Sequence, residues 1–206
     1  MTIETVIFDF GGVIIKNPNL DWLLRWHERL GFKRDNELFE ILTNPMGSEL
    51  IREIFLGTKS EEILWQLFAE RLNLKEKTIK RIRRHAFSKY RINKPIIRLL
   101  SELSKGYKTA ILSNASDQTR QLMERKLNLH EIVDVIIISA EEGLIKPDPQ
   151  IYQLAMERLN TSPEKTLFLD DLKENVRAAK TFGMNAVHFL NTMQAIHSVR
   201  NTLKEA

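Results

Sequence analysis

Hydrophobic residues follow two alternating patterns along the second half of the chain. Short continuous apolar runs, typical of strands buried on both faces of a sheet, alternate with segments in which apolar residues recur every three or four positions, as in amphipathic helices. The predicted elements, in order, are helix Pro95–Lys105, strand Thr109–Leu112, helix Asp117–Asn128, strand Val133–Ile138, helix Pro149–Leu159, strand Leu167–Leu169, helix Glu174–Phe182 and strand Ala186–Leu190. With the first apolar run, Val6–Phe8, they predict an α/β fold, a doubly wound, Rossmann-like parallel sheet with helices on both faces.

Residues 18–91 interrupt this alternation. They show helical periodicity and no apolar run typical of a strand, in the segments Leu20–Leu30, Glu37–Leu42, Ser48–Leu56, Ser60–Leu72 and Thr78–Phe87. We therefore predict a core domain formed by residues 1–17 and 92–206, and an inserted all-helical cap domain formed by residues 18–91. An insertion after the first strand lies above the carboxyl ends of the strands, where open α/β sheets bind ligands. The order of elements thus predicts a helical lid over Asp9.

Composition limits the class of protein. The 206 residues fit one domain or one core with an inserted lobe, and 43% hydrophobic with 28% charged residues is ordinary for a globular protein. No apolar run approaches the ~18 residues of a membrane helix, and the first residues lack a signal-peptide pattern. The absence of cysteine excludes disulfides, thiolate catalysis and cysteine-based metal sites. We expect a cytoplasmic protein with no membrane partner.

The net charge of +4 and the pI near 9.3 raise the question of an anionic partner. Much of the excess lies in the segment from Lys75 to His85, where Ile79 and Ile82 are spaced to face inward. This spacing favours the solvated face of a helix, with steering of an anionic substrate as the alternative. Because the segment has no interleaved aromatic residues and no recognition-helix motif, we expect no nucleic acid partner. The oligomeric state is left open.

Polar residues follow the ends of four predicted strands. Asp9 follows the first strand and precedes Gly11 and Gly12, Ser113 and Asn114 follow the second, and Lys146 comes shortly after the third. Asp170 and Asp171 follow the fourth. Right-handed crossovers bring the carboxyl ends of parallel strands to one edge of the sheet. We therefore expect these side chains to form one site.

These residue types suit phosphoryl transfer. An aspartate such as Asp9 can act as a covalent nucleophile, but the repulsion between two anions requires a cation nearby. Mg²⁺ prefers hard oxygen ligands, which the carboxylates of Asp9, Asp170 and Asp171 and the carbonyl of Gly11 can supply. Ser113 and nearby backbone N–H groups can hydrogen-bond phosphate oxygens, and Lys146 offers a positive charge.

The four segments resemble the four motifs of the haloacid dehalogenase-like (HAD) superfamily, in the right order and over nearly the whole chain. They are Asp9-Phe-Gly-Gly-Val, Ile111-Leu-Ser-Asn, Gly143-Leu-Ile-Lys-Pro-Asp-Pro, and Phe168-Leu-Asp-Asp with Asn175 behind it. The insert is similar to the helical cap of the branch that contains dehalogenases and sugar-phosphate phosphatases. The resemblance implies a Mg²⁺-dependent hydrolase of a small phosphorylated metabolite.

The roles that the resemblance implies carry over residue by residue. Asp9 would be the nucleophile, Lys146 the charge stabiliser and Asp170 a metal ligand, while Asp171 would be a further ligand or a partner of Lys146. The expected substrate- and phosphate-binding residues are Ser113, Asn114, Gly12 and Lys16. The cap residues Trp22 and Trp26, four positions apart, either pack the cap or face the substrate.

One position departs from the phosphatase pattern. Typical phosphatases of the superfamily carry a second aspartate two residues after the nucleophile, as a general acid, where this chain has Gly11. Such an acid contributes about 10²–10⁴ in rate. Its absence favours a leaving group of low pKa, such as an anomeric sugar oxygen or another phosphate. The alternatives are a metal-free 2-haloacid dehalogenase, whose anionic substrate two adjacent aspartates would repel, and a binding or regulatory protein with impaired turnover.

Overall fold

The structure is a computed structural model that describes residues 2–16, 38, 41, 44–88 and 91–205. Its strands are β1 (Thr5–Phe8), β2 (Ile15–Lys16), β3 (Arg91–Ile92), β4 (Lys108–Ser113), β5 (Val135–Ile138), β6 (Thr166–Asp170) and β7 (Asn185–His188). Five of them form a parallel sheet in the order β5-β4-β1-β6-β7. The predicted fold class is therefore confirmed, and β1 lies at the centre between β4 and β6.

The described helices surround this sheet or belong to the insert. They are α1 (Glu49–Phe55), α2 (Glu61–Arg71), α3 (Glu76–Ser88), α4 (Lys94–Leu103), α5 (Thr119–Gln121), α6 (Ser139–Glu142), α7 (Pro149–Leu159), α8 (Lys173–Thr181) and α9 (Thr192–Glu205). Short 3-10 turns occur at Pro45–Gly47, Leu129–Glu131 and Pro163–Lys165. Within the described ranges, no helix combines the length and the apolar character needed to cross a bilayer.

The sheet buries both faces, which explains the continuous apolar runs of its strands. Val6 and Phe8 of β1 belong to a buried cluster that includes side chains of α4 and α9. Ile7, which points to the opposite face, belongs to a second cluster with side chains of α7 and α8. Because successive side chains of a strand alternate between faces, this central strand contributes to two cores at once. Its end at Asp9 is correspondingly well fixed.

The core differs from the predicted elements in several places, including the unpredicted helix α6. The helix predicted over Asp117–Asn128 is present but shorter, and its second part is π-helical, because α5 continues directly into a π-helical segment, Leu122–Lys126. The carboxylate of Asp117 accepts hydrogen bonds from another part of the chain instead of capping this helix. Helix α9 was not predicted. Its buried apolar side chains include Ala195 and Val199, a weak periodic signal in an otherwise polar segment.

The insert has a core of its own. Helices α1, α2 and α3 coincide with three predicted helices, and their buried side chains include Ile54, Trp65 and Phe68. The predicted segment Leu20–Leu30 and most of Glu37–Leu42 lie outside the described residues, as do Trp22 and Trp26. The division into core and cap at these boundaries stays a prediction.

A short antiparallel ribbon connects the insert with the sheet domain. Strand β2 pairs with β3, so that Ile15 lies opposite Ile92 and Lys16 opposite Arg91. The buried side chain of Asn93 donates to the backbone oxygen of Val13 (3.1 Å). The two connections thus run side by side, although the pattern of apolar residues predicted no strand there.

Candidate active site

The carboxyl ends of three neighbouring strands bring the predicted site residues together. Asp9 follows β1, Ser113 ends β4, and Asp170 ends β6. All three are buried, with exposed fractions of 6%, 2% and 0%. Since β1 pairs with both β4 and β6, the predicted meeting of these strand ends is what the sheet order produces.

Lys146 lies at the centre of the site, and its ammonium group makes three hydrogen bonds. Its Nζ donates to Asp9 Oδ1 (2.8 Å), to Asp170 Oδ2 (2.7 Å) and to the backbone oxygen of Leu112 (2.9 Å). The Nζ atom also lies 5.4 Å from the centre of the Phe168 ring, within the range of a cation–π contact. All three ammonium protons are used, so the side chain of Lys146 has a fixed position between two carboxylates.

Asp170 is held by donors on both of its oxygens. Oδ1 accepts from the backbone N–H of Leu172 (2.8 Å), and Oδ2 accepts from Lys146. The side-chain amide of Asn175 donates to both oxygens, at 3.1 and 3.0 Å. A buried carboxylate with this many donors is a structural anchor for the lysine. It has little remaining capacity for another partner.

Asp171 points toward the turn after β1. A Cβ atom placed on Gly12 would lie 2.0 Å from Asp171 Oδ2, and the backbone of Gly12 has a φ of +78°. Only glycine accommodates both the left-handed backbone and the close approach of the carboxylate. Gly12, expected among the phosphate-binding residues, therefore makes room for Asp171. The backbone oxygen of Asp171 lies 3.0 Å from Nε2 of His188.

Burial and charge shift the ionisation of these groups. Burial raises the pKa of Asp9 from its usual 3.8 to about 7, against the opposing effect of the Lys146 charge. The pKa of Asp171 is also raised, first by burial and then by the charge of Asp170. Burial alone would lower the pKa of Lys146, but the carboxylates of Asp9 and Asp170 outweigh it, so the pKa is raised. Lys146 stays a cation while Asp9 competes for a proton near neutral pH.

Ser113 and Asn114 have different surroundings. The hydroxyl of Ser113 makes no hydrogen bond to the described residues, so it can serve a ligand. The amide of Asn114 is engaged at both ends, because its Nδ2 donates to the backbone oxygen of Lys146 (2.8 Å) and its Oδ1 accepts from the backbone N–H of Lys146 (2.8 Å). This geometry favours a positioning role for Asn114. Its role as a phosphate ligand stays a prediction.

Gly11 and Lys16 lie at the edge of the cluster. Gly11 is half-buried in the turn and forms an isolated bridge with Ile15. Lys16 is exposed on the ribbon, and no hydrogen bond or ion pair of its side chain occurs within the described part of the chain. The predicted roles of the Gly11 carbonyl and of Lys16 stay predictions.

The structure adds residues that the motifs alone did not assign. Asn175, in the first turn of α8, holds Asp170 in place, and the hydroxyl of buried Tyr152 donates to the backbone oxygen of Asn175 (3.1 Å). The Oδ1 atom of Asn175 is buried without a hydrogen-bond partner among the described residues. Asn175 belongs to the fourth motif by its spacing from Asp170. Tyr152 gave no signal apart from its place on an amphipathic helix.

Three aspartates lie close enough together to hold a divalent cation, although the oxygens of Asp170 already accept from other donors. Asp9, Asp170 and Asp171 each offer a carboxylate oxygen, and these atoms lie within 4.8 Å of one another. Hard oxygen ligands at such spacing are what Mg²⁺ prefers. The close approach of Asp171 to Gly12 directs a carboxylate toward the same turn as Asp9. The chemistry of the donors and the missing Cβ of Gly12 therefore both agree with a metal-binding role.

Comparison with known proteins identifies the family. The family described as haloacid dehalogenase-like hydrolase matches residues 6–189. The chain belongs to the haloacid dehalogenase-like hydrolases. This member of the family is a hydrolase, as its motifs predicted. It is 30% identical over 205 residues to the phosphorylated carbohydrates phosphatase of Thermotoga maritima, over 94% of this chain and 89% of that protein.

Solved structures of the family share the fold. An HAD-like family hydrolase from Porphyromonas gingivalis superposes with a TM-score of 0.76 at 23% identity, over 97% of this chain and 98% of that one. An HAD family enzyme from Bacteroides thetaiotaomicron, in complex with magnesium and inorganic phosphate, has a TM-score of 0.72 at 22% identity, over 90% and 93% of the two chains. At these identities the likeness shows a common fold.

Proposed function

We propose that this haloacid dehalogenase-like hydrolase is a Mg²⁺-dependent phosphatase of small phosphorylated metabolites, sugar phosphates included, and that it forms a phospho-aspartate on Asp9. The observation that carries the proposal is the charge balance of the site. Asp9 and Asp170 contact the ammonium group of Lys146 and Asp171 lies beside them, so the ionised cluster of three carboxylates and one ammonium has a formal charge of −2. A divalent cation held by these carboxylates would neutralise this charge and would lower the repulsion that an approaching phosphate meets.

The residues divide between two roles. Asp9 and Asp171, with the carbonyl of Gly11, would hold Mg²⁺, because the oxygens of Asp170 already accept from Lys146, Asn175 and a backbone N–H. When bound, the ion supplies positive charge that offsets the repulsion between carboxylate and phosphate. The magnesium and phosphate held by the Bacteroides thetaiotaomicron enzyme support this cofactor and this class of ligand.

The chemical steps follow from the hydrogen bonds of Asp9. Because Oδ1 accepts from Lys146, the other oxygen, Oδ2, is free to attack phosphorus. The bond from Oδ2 to phosphorus forms while the bond to the leaving oxygen breaks, and Lys146 and Ser113 stabilise the charge on the transferred group. Water then attacks the phosphorus of phospho-Asp9. The phosphate leaves as dihydrogen phosphate, with the water oxygen and both of its protons, and can release one proton to solvent, while the Asp9 carboxylate is regenerated.

Gly11 determines which leaving groups react well. It cannot donate a proton to the leaving oxygen, so a leaving group must depart as a weakly basic anion or take its proton from water. An anomeric sugar oxygen is less basic than an ordinary alkoxide. The activity that names the Thermotoga maritima relative, on phosphorylated carbohydrates, supports this substrate class.

The test is a panel of phosphate esters with and without Mg²⁺. We expect hydrolysis of p-nitrophenyl phosphate and anomeric sugar phosphates that requires Mg²⁺, with slower hydrolysis of simple alkyl phosphates. Asp9→Asn should abolish the activity, whereas Asp148→Asn, a change at the exposed cap of α7, should leave it intact. Equal rates on alkyl and anomeric phosphates would contradict the role given to Gly11.

The same panel separates the alternatives. Halide release from a 2-haloacid in the presence of a metal chelator would indicate a dehalogenase. A halide leaves without a proton, so such an enzyme does not need the missing general acid. Binding of Mg²⁺ and phosphate without turnover of any ester would indicate a binding or regulatory protein. Turnover that survives Asp9→Asn would exclude the covalent intermediate.

A further inference from the structure

Helix α2 of the insert contacts the loop that follows Ser113 and Asn114. The hydroxyl of Ser116 donates to Glu61 Oε2 (2.5 Å), and the other oxygen of Glu61 accepts from the indole N–H of Trp65 (2.9 Å). Asp117 Oδ2 accepts from the hydroxyl of Ser60 (2.8 Å), and Asp117 Oδ1 accepts from the backbone N–H of Glu61 (3.2 Å). Three hydrogen bonds, between two residues of the insert and two of the loop, therefore join the insert to this loop.

Asp117 completes the N-terminal cap of α2 from outside the insert. The hydroxyl of Ser60 accepts from the backbone N–H of Glu62 (3.3 Å) while it donates to Asp117. The carboxylate satisfies a second N–H of the first turn and lies at the positive end of the helix dipole. Burial works against ionisation of Asp117, but the bonds from Glu61 and Ser60 outweigh it, so its pKa is lowered. Part of the cap of this helix thus comes from Asp117, which lies 56 positions along the chain from Glu61.

The same loop is attached to Lys146 at its other end. The amide of Asn114 pairs with the backbone N–H and oxygen of Lys146, and the backbone N–H of Ala115 donates to the hydroxyl of Ser139 (2.9 Å). Residues 114–117 are therefore bound on one side to the lysine that contacts Asp9 and on the other side to the insert. These contacts connect α2 with the segment that directly follows the candidate phosphate ligand Ser113.

We propose that Ser60, Glu61, Ser116 and Asp117 form a latch, through which docking of the insert positions Ser113, Asn114 and Lys146 for phosphate binding. The members of the latch are positioning residues. The link to phosphate affinity rests on the proposed function, whereas the link between the latch and the seating of α2 does not. The competing explanation is that these bonds stabilise the insert without any effect on the site.

Amide hydrogen exchange tests the seating of α2. Asp117→Ala should speed exchange at the N–H of Glu61 about tenfold, because this group loses its acceptor. The N–H of Glu62 keeps the hydroxyl of Ser60 as its acceptor and should change less, and β1 and β6 should not change. Glu62→Ala is the matched control on α2. The exposed side chain of Glu62 pairs with Arg83 of α3 (2.7 Å), and within the described part of the chain it makes no hydrogen bond to the loop. Unchanged exchange in Asp117→Ala would overturn the latch.

Affinity for inorganic phosphate, measured by calorimetry with Mg²⁺ present, tests the effect on the site. Ser116→Ala should weaken phosphate binding about three- to tenfold, the effect of one lost hydrogen bond, and Glu61→Ala at least as much, because Glu61 also accepts from Trp65. The double variant should be no weaker than the weaker single variant, because both remove the same contact. Ser116→Thr keeps the hydroxyl and should restore binding, and Glu62→Ala should leave binding unchanged.

The phosphate-binding results test the coupling between the latch and the site separately from the proposed function. The coupling between latch and site would be overturned if the losses of phosphate affinity in the two single variants added up in the double variant. It would also be overturned if none of these substitutions changed the phosphate affinity. If Glu61→Ala does not fold, the pair Ser116→Ala and Ser116→Thr decides, since it differs by a hydroxyl and one methyl group. If the wild-type protein binds no phosphate, the proposed function fails, and the exchange experiment still decides whether the latch seats α2.

Discussion

Lys146 Nζ lies 2.8 Å from Asp9 Oδ1, although the two residues are 137 positions apart in the chain. The same Nζ atom lies 2.7 Å from Asp170 Oδ2, so one buried cation joins the ends of two neighbouring strands. Two carboxylates at the centre of a sheet would repel each other without it. The contact therefore contributes both to the fold and to the chemistry of the site.

Replacing Lys146 with methionine should separate these contributions. The substitution keeps the length and apolar character of the side chain but leaves Asp9 and Asp170 without their cation. We expect a loss of about 3–5 kcal/mol in the free energy of unfolding, because removing one partner of a buried ion pair leaves an uncompensated charge. Urea denaturation at neutral pH measures it.

Lys165→Met is the matched control for this prediction. Lys165 also forms an ion pair at 2.8 Å, with Glu4, but 45% of its side chain is exposed. Exposed ion pairs contribute little, so this variant should unfold almost as the wild type does. Equal effects of the two substitutions would show that burial of the Lys146 pair is not what matters.

The sequence alone predicted the position of the site because buried strands and turn residues leave strong local signals. The run Val6–Phe8 before Asp9, and the run Leu167–Leu169 before Asp170, are apolar on both faces of the strand. Parallel strands then bring their carboxyl ends together whatever lies between them. Fold class and the meeting of strand ends therefore follow from pattern and order.

The different roles of the two adjacent aspartates in the site could not be predicted in the same way. Asp170 and Asp171 are chemically identical neighbours, and what separates them is contact with Asn175 on one side and Gly12 on the other. The latch could not be predicted from the sequence either. Asp117 accepts from the first turn of a helix 56 positions away, whereas the apolar pattern around Asp117 predicts a helix there. Such assignments depend on tertiary contacts.

Gly12→Ala should disturb Asp171 and with it cation binding. The new Cβ would meet Asp171 Oδ2, and the backbone φ of +78° is unfavourable for alanine. We expect a loss of about 1–3 kcal/mol in stability from the backbone strain and weaker Mg²⁺ binding from the displaced carboxylate. Thermal unfolding and a Mg²⁺ titration measure the two effects.

Gly106→Ala controls for the loss of a glycine. A Cβ on Gly106 would meet no atom within 4 Å, and its φ is not positive. This variant should keep both stability and Mg²⁺ affinity. Normal Mg²⁺ binding by Gly12→Ala would show that Asp171 does not need the space above Gly12.

Asparagine substitutions of the two adjacent acids should affect different properties of the protein. Asp170→Asn should lower its stability, and Asp171→Asn should weaken its binding of Mg²⁺. Asp170→Asn removes an acceptor from Lys146 and places an N–H₂ group among donors, so it should lower stability by about 3–5 kcal/mol. Asp171→Asn should leave the unfolding curve nearly unchanged but weaken Mg²⁺ binding at least tenfold, since a ligand charge is lost. Denaturation and calorimetry on both variants decide the assignment. The reverse pattern would make Asp170 the cation ligand.

Mg²⁺ binding should depend on pH near neutrality. Burial raises the pKa of Asp9 from 3.8 to about 7, so in the folded protein a proton occupies the carboxylate below that pH and competes with the cation. A raised carboxyl pKa also means that the contribution of Asp9 to stability, in the absence of cation, is present below pH 3.8 and is lost as the pH rises to about 7. The cation reverses this loss because it favours the ionised form.

The expected result is an apparent Mg²⁺ affinity that falls about tenfold for each pH unit below this pKa and levels off above it. Calorimetry in two buffers of different ionisation enthalpy should detect about one proton released per Mg²⁺ at acid pH and almost none at pH 8. Asp9→Asn should bind Mg²⁺ weakly and without this proton release. An affinity that is constant from pH 5.5 to 8 in the wild-type protein would mean that Asp9 is already ionised, and that Lys146 outweighs burial at this position.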